Sequence, residues 1–257
     1  RGDAPAAANL FERAAVLLPP DHPGRLAVLP ALGRALRDTA QMTRAEAVLT
    51  EAVERATAAG NAVEAATASL ALADLRFHAT KLTRQETLAE LEAAMRAFGE
   101  HGDDAGLARA LAFRGRLRFW GGDFAGALED LEEGAMHARS AGDRYHEVEC
   151  LQYVIAVDVY GPTPAPEALA RIEEIRTRVE GNRTLDIAAL NGLARLQSMR
   201  GDFAGARDAL RRSTALVDGG SDVTQYSHVA MAAGMIELLA GDAVAAEREL
   251  RPACERL

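Results

Sequence analysis

The sequence is short of several residue types, and each shortage removes a class of protein. Only two cysteines occur, Cys150 and Cys254, too few for a disulfide framework or a multi-cysteine metal site. That scarcity points to a reducing compartment, the cytoplasm. A single lysine, Lys81, stands beside 28 arginines. No proline falls between Ala31 and Gly161, and so long a stretch without a helix breaker argues for helix. Aromatic residues make up 5% of the chain, with one tryptophan. No apolar run reaches the roughly 18 residues needed to span a bilayer, and no signal peptide is recognisable, so no membrane partner is expected. Basic residues are also outnumbered, 29 against 38 acidic, for a net charge of −9. That balance argues against nucleic acid as a partner.

What is abundant is alanine, 55 of 257 residues, the strongest helix former. A composition of 49% hydrophobic and 26% charged residues is that of a folded globular chain. Self-similarity is the informative feature. Gly-Asp-Phe-Ala-Gly-Ala occurs at 122–127 and again at 201–206, and Gly-Asp also stands at Gly2-Asp3 and Gly241-Asp242. Degenerate copies at Gln41, Lys81 and Pro164 fill the gaps, giving marks at Asp3, Gln41, Lys81, Asp123, Pro164, Asp202 and Asp242 with steps of 38 to 42 residues. A second series, Asp21, Asn61, Asp103, Asp143, Asn182 and Asp222, lies halfway between with the same period. Two interleaved turn series sharing one period describe a repeated helix-turn-helix. Glycine closes a helix in the left-handed conformation and the following Asp or Asn caps the next one.

The pattern predicts an entering helix at about 5–18 and six antiparallel pairs. First helices are expected at about 24–38, 62–79, 104–120, 144–159, 183–199 and 223–239. Second helices are expected at about 43–59, 83–99, 124–140, 165–179, 203–217 and 243–256, that of the second pair about two residues longer than the others. Eight positions before each mark the first helix carries Gly33, Ala73, Gly115, Ala156, Ala194 and Gly234; four after it the second carries Ala45, Gln85, Ala127, Ala168, Ala206 and Ala246. Small residues at such offsets let two helix backbones cross closely. The fold class is therefore all-α, a right-handed α-α superhelix of about six 40-residue hairpins in one domain over residues 1–257.

The small residue in the first helix, the Gly-Asp-Phe turn and the alanine in the second resemble the tetratricopeptide repeat. The period is longer than that family's, and its tryptophan, tyrosine and closing prolines are mostly missing. Leu17-Leu18-Pro19-Pro20-Asp21-His22-Pro23, Gly161-Pro162-Thr163-Pro164 and Glu249-Leu250-Arg251-Pro252-Ala253 resemble segments from the C-terminal repeat arrays of actinobacterial signal-transduction ATPases. Such arrays follow an AAA-type ATPase joined to a nucleotide cyclase, or belong to LuxR-type regulators. The resemblance implies a fragment of a larger regulator, with a start inside a hairpin and an uncapped end that permits self-association.

Catalytic signatures are missing. There is no phosphate-binding Gly-x-x-x-x-Gly-Lys loop, and no His-Glu-x-x-His, Gly-x-Ser-x-Gly or Cys-x-x-Cys. His146, Glu149 and Cys150 share a helix face, but three such residues hold zinc only with a fourth ligand; a polar helix start explains them equally. Neither a cofactor nor a metal is expected, and the chain reads as a non-enzyme.

A solenoid offers a surface instead, its first helices lining the concave side. Positions one turn either side of the crossing give Arg34, Arg37, Asp74, His78, Arg109, Arg116, Trp120, Tyr153, Tyr160, Asn191 and Arg195, with Phe77, His228 and Met231 on the same line. Arg114 and Arg118 are expected to face away, and Phe119 to pack between helices. Arginine with Trp and Tyr is the composition of interface hot spots, and arginine presents a planar fork to carboxylates or phosphates. The expectation is a groove for an acidic or aromatic-binding peptide, a protein or another domain of the parent chain. The alternatives are a small-molecule-sensing superhelix and an enzyme with an unrecognised site.

Overall fold

The structure, a computed structural model, describes residues 4–19, 22–178, 181–217 and 223–255. Among them are thirteen α-helices and no strand. Helix α1 (Ala4–Leu17) enters, and the pairs follow as α2 (Pro23–Asp38) with α3 (Met42–Ala58), α4 (Ala62–His78) with α5 (Arg84–His101), and α6 (Asp104–Trp120) with α7 (Phe124–Ser140). The last three are α8 (Arg144–Tyr160) with α9 (Ala165–Arg178), α10 (Arg183–Met199) with α11 (Phe203–Leu216), and α12 (Val223–Leu239) with α13 (Ala243–Cys254). The repeat series thus carries through the chain as the turn marks predict. The marks Asp3, Asp21 and Asp222 lie outside the described residues.

The Gly-Asp turn works by giving the aspartate two jobs. Gly201 takes φ 81°, which lets the Asp202 N–H reach back to the Gln197 carbonyl at 3.0 Å and close α10 in the Schellman manner. The Asp202 carboxylate then accepts from Gly205 N–H at 2.9 Å and starts α11. Asp123 repeats both bonds, to the Arg118 carbonyl at 3.0 Å and from Gly126 at 3.1 Å. The second glycine of the motif has its own cause: a Cβ on Gly205 would lie 2.3 Å from the Asp202 carboxylate, and one on Gly126 2.5 Å from that of Asp123.

Each departure from the expected register has a local origin. Helix α5 is 18 residues long rather than the 17 of α3. The extra length of the second repeat lies mainly before it, because Thr83 rather than Lys81 is the cap and forms a capping box with Glu86. Gln85 is exposed in consequence, and Thr87 occupies the crossing position with no exposed surface. In the fourth pair four residues separate α8 from α9, where three separate α6 from α7. That extra residue leaves Ala156 half-buried and puts Ile155 in the interior.

By packing, the chain divides into two compact units, residues 1–117 with 136–146 and residues 118–135 with 147–257. In the first, Leu29, Leu36, Leu49, Ala52 and Leu75 form one core among α2, α3 and α4, and Leu91, Phe98, Phe113 and Leu117 a second among α5 and α6. In the second, Leu131, Ile172, Leu185, Ala194, Ala206 and Ile236 are buried. The predicted small crossing residues Ala45, Ala73, Ala127, Ala168, Ala194 and Ala206 have no exposed surface. Gly33 and Gly234 show why: a Cβ there would lie 2.4 Å from Leu49 and 2.5 Å from Leu250 respectively. The same contact is made at both ends of the array, sixteen residues apart in sequence each time.

Candidate functional site

The predicted face falls on both units. In the first, α4 places Asp74 at the centre of a cationic cluster. Arg37 from α2 pairs with its Oδ2, Arg116 from α6 lies 3.6 Å from its Oδ1, and His78 sits one turn along α4 with Nδ1 3.3 Å from Oδ1. His78 Nδ1 is closer still, at 2.8 Å, to the Asp74 carbonyl oxygen. A carbonyl can only accept, so the imidazole carries its proton on Nδ1 and leaves Nε2 open. Burial, with Arg37 and Arg116 alongside, holds His78 below the ordinary histidine value, so at neutral pH the ring is uncharged.

Arg116 also stacks over Phe113, its guanidinium carbon 5.3 Å from the ring centre, and Phe77 meets Phe113 edge-on at 6.2 Å. Arg34 and Arg109, both half-buried, complete the cluster. Arg34 makes no ion pair among the described residues, and burial together with Arg109 and Arg37 depresses its pKa, with Asp38 opposing. Arg109 lies 4.0 Å from Asp103 and within electrostatic reach of Asp143, and its Nε is shielded from water with no hydrogen-bond partner. Arg37 is additionally held by Asp38 at 3.1 Å.

In the second unit the site residues gather around an aromatic cluster. Phe119 is its hub, edge-on to Trp120 at 5.2 Å, Phe124 at 5.8 Å, Tyr153 at 5.8 Å and Tyr160 at 6.2 Å. Trp120 remains 73% exposed at the rim. Asn191 and Arg195 were expected on the open face, and the structure places both in the interior, each 9% exposed. Arg195 donates to the Tyr160 hydroxyl and lies 5.2 Å from that ring; burial lowers its pKa. The reason for this depth is α10 itself, which is buried on nearly every side and so has no solvent-facing stripe to offer. His228 and Met231, further along the same line, are exposed.

Of the residues set aside by sequence, Arg118 does face away, pairing with Asp130 at 3.1 Å. Its partner, and the pair of Asp158 with Arg171 at 3.4 Å, carry no sequence signature beyond a charged residue at a helical position. His146 Nδ1 lies 2.7 Å from Asp143, and Cys150 is buried. Among the described residues no group of three potential ligands could hold a metal ion, and no helix is long and apolar enough to cross a membrane. A cleft of about 410 Å³ among α3, α4 and α5, lined mostly by alanines with Arg76 and Glu90, shares no residue with the predicted face.

No protein-family model and no curated protein matches the chain. Solved structures do. A tetratricopeptide repeat protein from Parabacteroides merdae is similar with TM-score 0.62 and 16% identity, over 99% of this chain and 87% of that one. The tetratricopeptide-like repeats of a putative kinesin light chain from Podospora anserina give 0.59 and 17%, over 76% and 96%. PilF of Pseudomonas aeruginosa gives 0.59 and 13%, over 90% and 97%. At these identities the likeness shows the fold: a tetratricopeptide-like helical repeat array.

Proposed function

We propose that the chain is a non-catalytic protein-interaction module that binds an acidic peptide segment or partner domain through the first helices of its hairpins. The observation that carries this reading is the cluster around Asp74, where a protein of net charge −9 concentrates Arg34, Arg37, Arg109 and Arg116. Half-buried guanidiniums of this kind are what interface hot spots are made of. In the second unit Trp120, standing on Phe119, supplies the aromatic anchor. Partner binding here regulates an attached signal-transduction ATPase and its output domain in the cytoplasm, the setting implied by the sequence resemblance.

The test is a peptide library graded from acidic through neutral to basic, presented to the chain and to an Arg109→Ala/Arg116→Ala/Trp120→Ala variant of matched helicity. Selection of acidic members by the parent, weakened by salt and lost in the variant, is the expected result. Capture without charge preference, or capture equal in the variant, overturns it.

A further inference from the structure

The cluster around Asp74 has two levels, and they differ in charge. At the lower one Arg37 of α2 and Arg116 of α6 both close on Asp74. That spends the carboxylate α4 contributes. Three residues earlier on α2 stands Arg34, and seven residues earlier on α6 stands Arg109. The α4 residues at that height on Asp74's face are Thr67, Leu70 and Ala71, none of them charged. Helical spacing of three, four and seven keeps these residues on one stripe.

The carboxylates in reach are already engaged. Asp38 is exposed and bound by Arg37 through two hydrogen bonds. Asp103, 4.0 Å from Arg109, caps α6 by accepting from Gly106 at 3.0 Å. Asp143 accepts from the backbone and ring of His146 at 3.1 and 2.7 Å. Arg34 and Arg109 are thus two half-buried cations whose nearest carboxylates, Asp38 for the one and Asp103 and Asp143 for the other, act from a distance and are shared with other partners, and Arg109 Nε has no hydrogen-bond acceptor. Arginine stays charged at neutral pH even in such a setting, so the repulsion between Arg34 and Arg109 is built in, eased only from a distance by those shared carboxylates and by nothing on α4. An anion from outside the chain would.

We propose that this upper level is a phosphate-binding site, in which Arg34 and Arg109 clasp the phosphate monoester of a phosphorylated peptide. The proposal rests on the interaction reading above and names the chemistry of the partner. Phosphate fits better than carboxylate on two counts. Its charge of about −1.5 to −2 suits two guanidiniums that have no carboxylate to themselves, and its three free oxygens serve two forks at once, where a carboxylate's two serve one. A peptide carrier fits because the face continues past the site to Asp74 and the exposed His78, leaving room for residues flanking the phosphate.

The experiment is calorimetric titration of the chain with a short phosphoserine peptide, its serine and glutamate counterparts, and inorganic phosphate. The phosphoserine peptide should bind at least about tenfold more tightly than the other three, and Arg34→Gln or Arg109→Gln should each weaken it about tenfold or more. Arg211→Gln, at an exposed position on α11, should leave it unchanged. Because either glutamine removes a like-charge contact, both variants should unfold at a urea midpoint no lower than the parent's, which separates lost binding from lost folding. Binding that survives in both variants overturns the site. A glutamate peptide as tight as the phosphoserine one overturns the phosphate and leaves the acidic-segment reading standing. Inorganic phosphate as tight as the peptide overturns the peptide carrier. Silence from every acidic probe overturns both readings.

Discussion

Arg118 and Asp130 lie 3.1 Å apart across the third hairpin, and the fourth hairpin repeats the pair with its charges exchanged. Asp158 holds in α8 the place that Arg118 holds in α6, two residues before the helix end, and Arg171 is the seventh residue of α9 as Asp130 is of α7. Asp130 and Asp158 are both buried, at 2% and 1% exposure, while the arginines reach in from the half-exposed rim. Two successive repeats therefore lock the same helix crossing with one ion pair in opposite polarity. Such a pair sets register more than it adds stability, because dehydrating both charges offsets much of their attraction.

The fourth-hairpin lock yields a pH-dependent prediction. Burial pushes the Asp158 carboxyl above the ordinary carboxylate range, with Arg171 pulling the other way. The native chain therefore holds this proton more tightly than the unfolded chain does. Asp158 favours the fold at low pH, and that contribution is lost as pH rises through its raised native value. Arg171→Ala removes the opposing cation and should destabilise by about 3 kcal/mol at pH 7, with a clearly smaller loss near pH 4.5, where protonation spares the carboxylate. Asp158→Asn should change stability at pH 7 by less than about 1 kcal/mol. Urea unfolding at the two pH values reads both, and an Arg171→Ala loss identical at each pH contradicts the account.

The helix crossings make a second prediction. A Cβ on Gly33 would overlap Leu49, which is 1% exposed and has no room to withdraw. Gly33→Ala should cost about 1–3 kcal/mol despite the better helix propensity of alanine. Pairing it with Leu49→Ala should give less than the sum of the two single losses, since the clash then disappears. Gly99 is the control: it is exposed on α5 with nothing within 4 Å of a would-be Cβ, so Gly99→Ala should stabilise by about 0.5–1 kcal/mol. Denaturant titration of the four variants decides it, and equal responses at Gly33 and Gly99 would remove the crossing register.

Much of this was legible in the sequence because it is local. The Gly-Asp turn, the caps at Asn61 and Asn182 and the small residues at the crossings depend on neighbours within a few positions, and the period repeats them. Two features escaped because they depend on three-dimensional neighbours, and a third although its signal is local. The depth of Asn191 and Arg195 follows from α10 being covered on most of its sides, which no periodicity in α10 announces. The link from Arg37 to Asp74 spans 37 residues, and that from Arg118 to Asp130 spans a turn; any charged residue on either helix would have looked the same. The two extra residues before α5 shifted the crossing from Gln85 to Thr87, and the clue was present in Thr83 and Glu86, which together spell a capping box.

The turns that lack glycine make the last prediction. Where α2 and α4 end, the left-handed position is taken by Ala40 at φ 59° and Thr80 at φ 55°, and the next residue still reaches back, Gln41 to the Leu36 carbonyl at 2.9 Å and Lys81 to that of Arg76 at 2.8 Å. The hydrogen bonds are those of the Gly-Asp turns, so the conformation is imposed by the hairpin and not chosen by the residue. An L side chain there costs about 1–2 kcal/mol through its Cβ, part of which glycine returns as unfolded-chain entropy. Ala40→Gly should therefore stabilise by about 0.5 kcal/mol and Thr80→Gly by about 1 kcal/mol, the β-branched side chain being the worse fit. Gly122→Ala, at φ 80° with nothing near its would-be Cβ, should move the other way by about 1 kcal/mol. The three urea midpoints test conformation alone, since Ala40 and Thr80 are both exposed. A Thr80→Gly variant no more stable than its parent would mean that the hairpin adjusts its turn to the residue it is given.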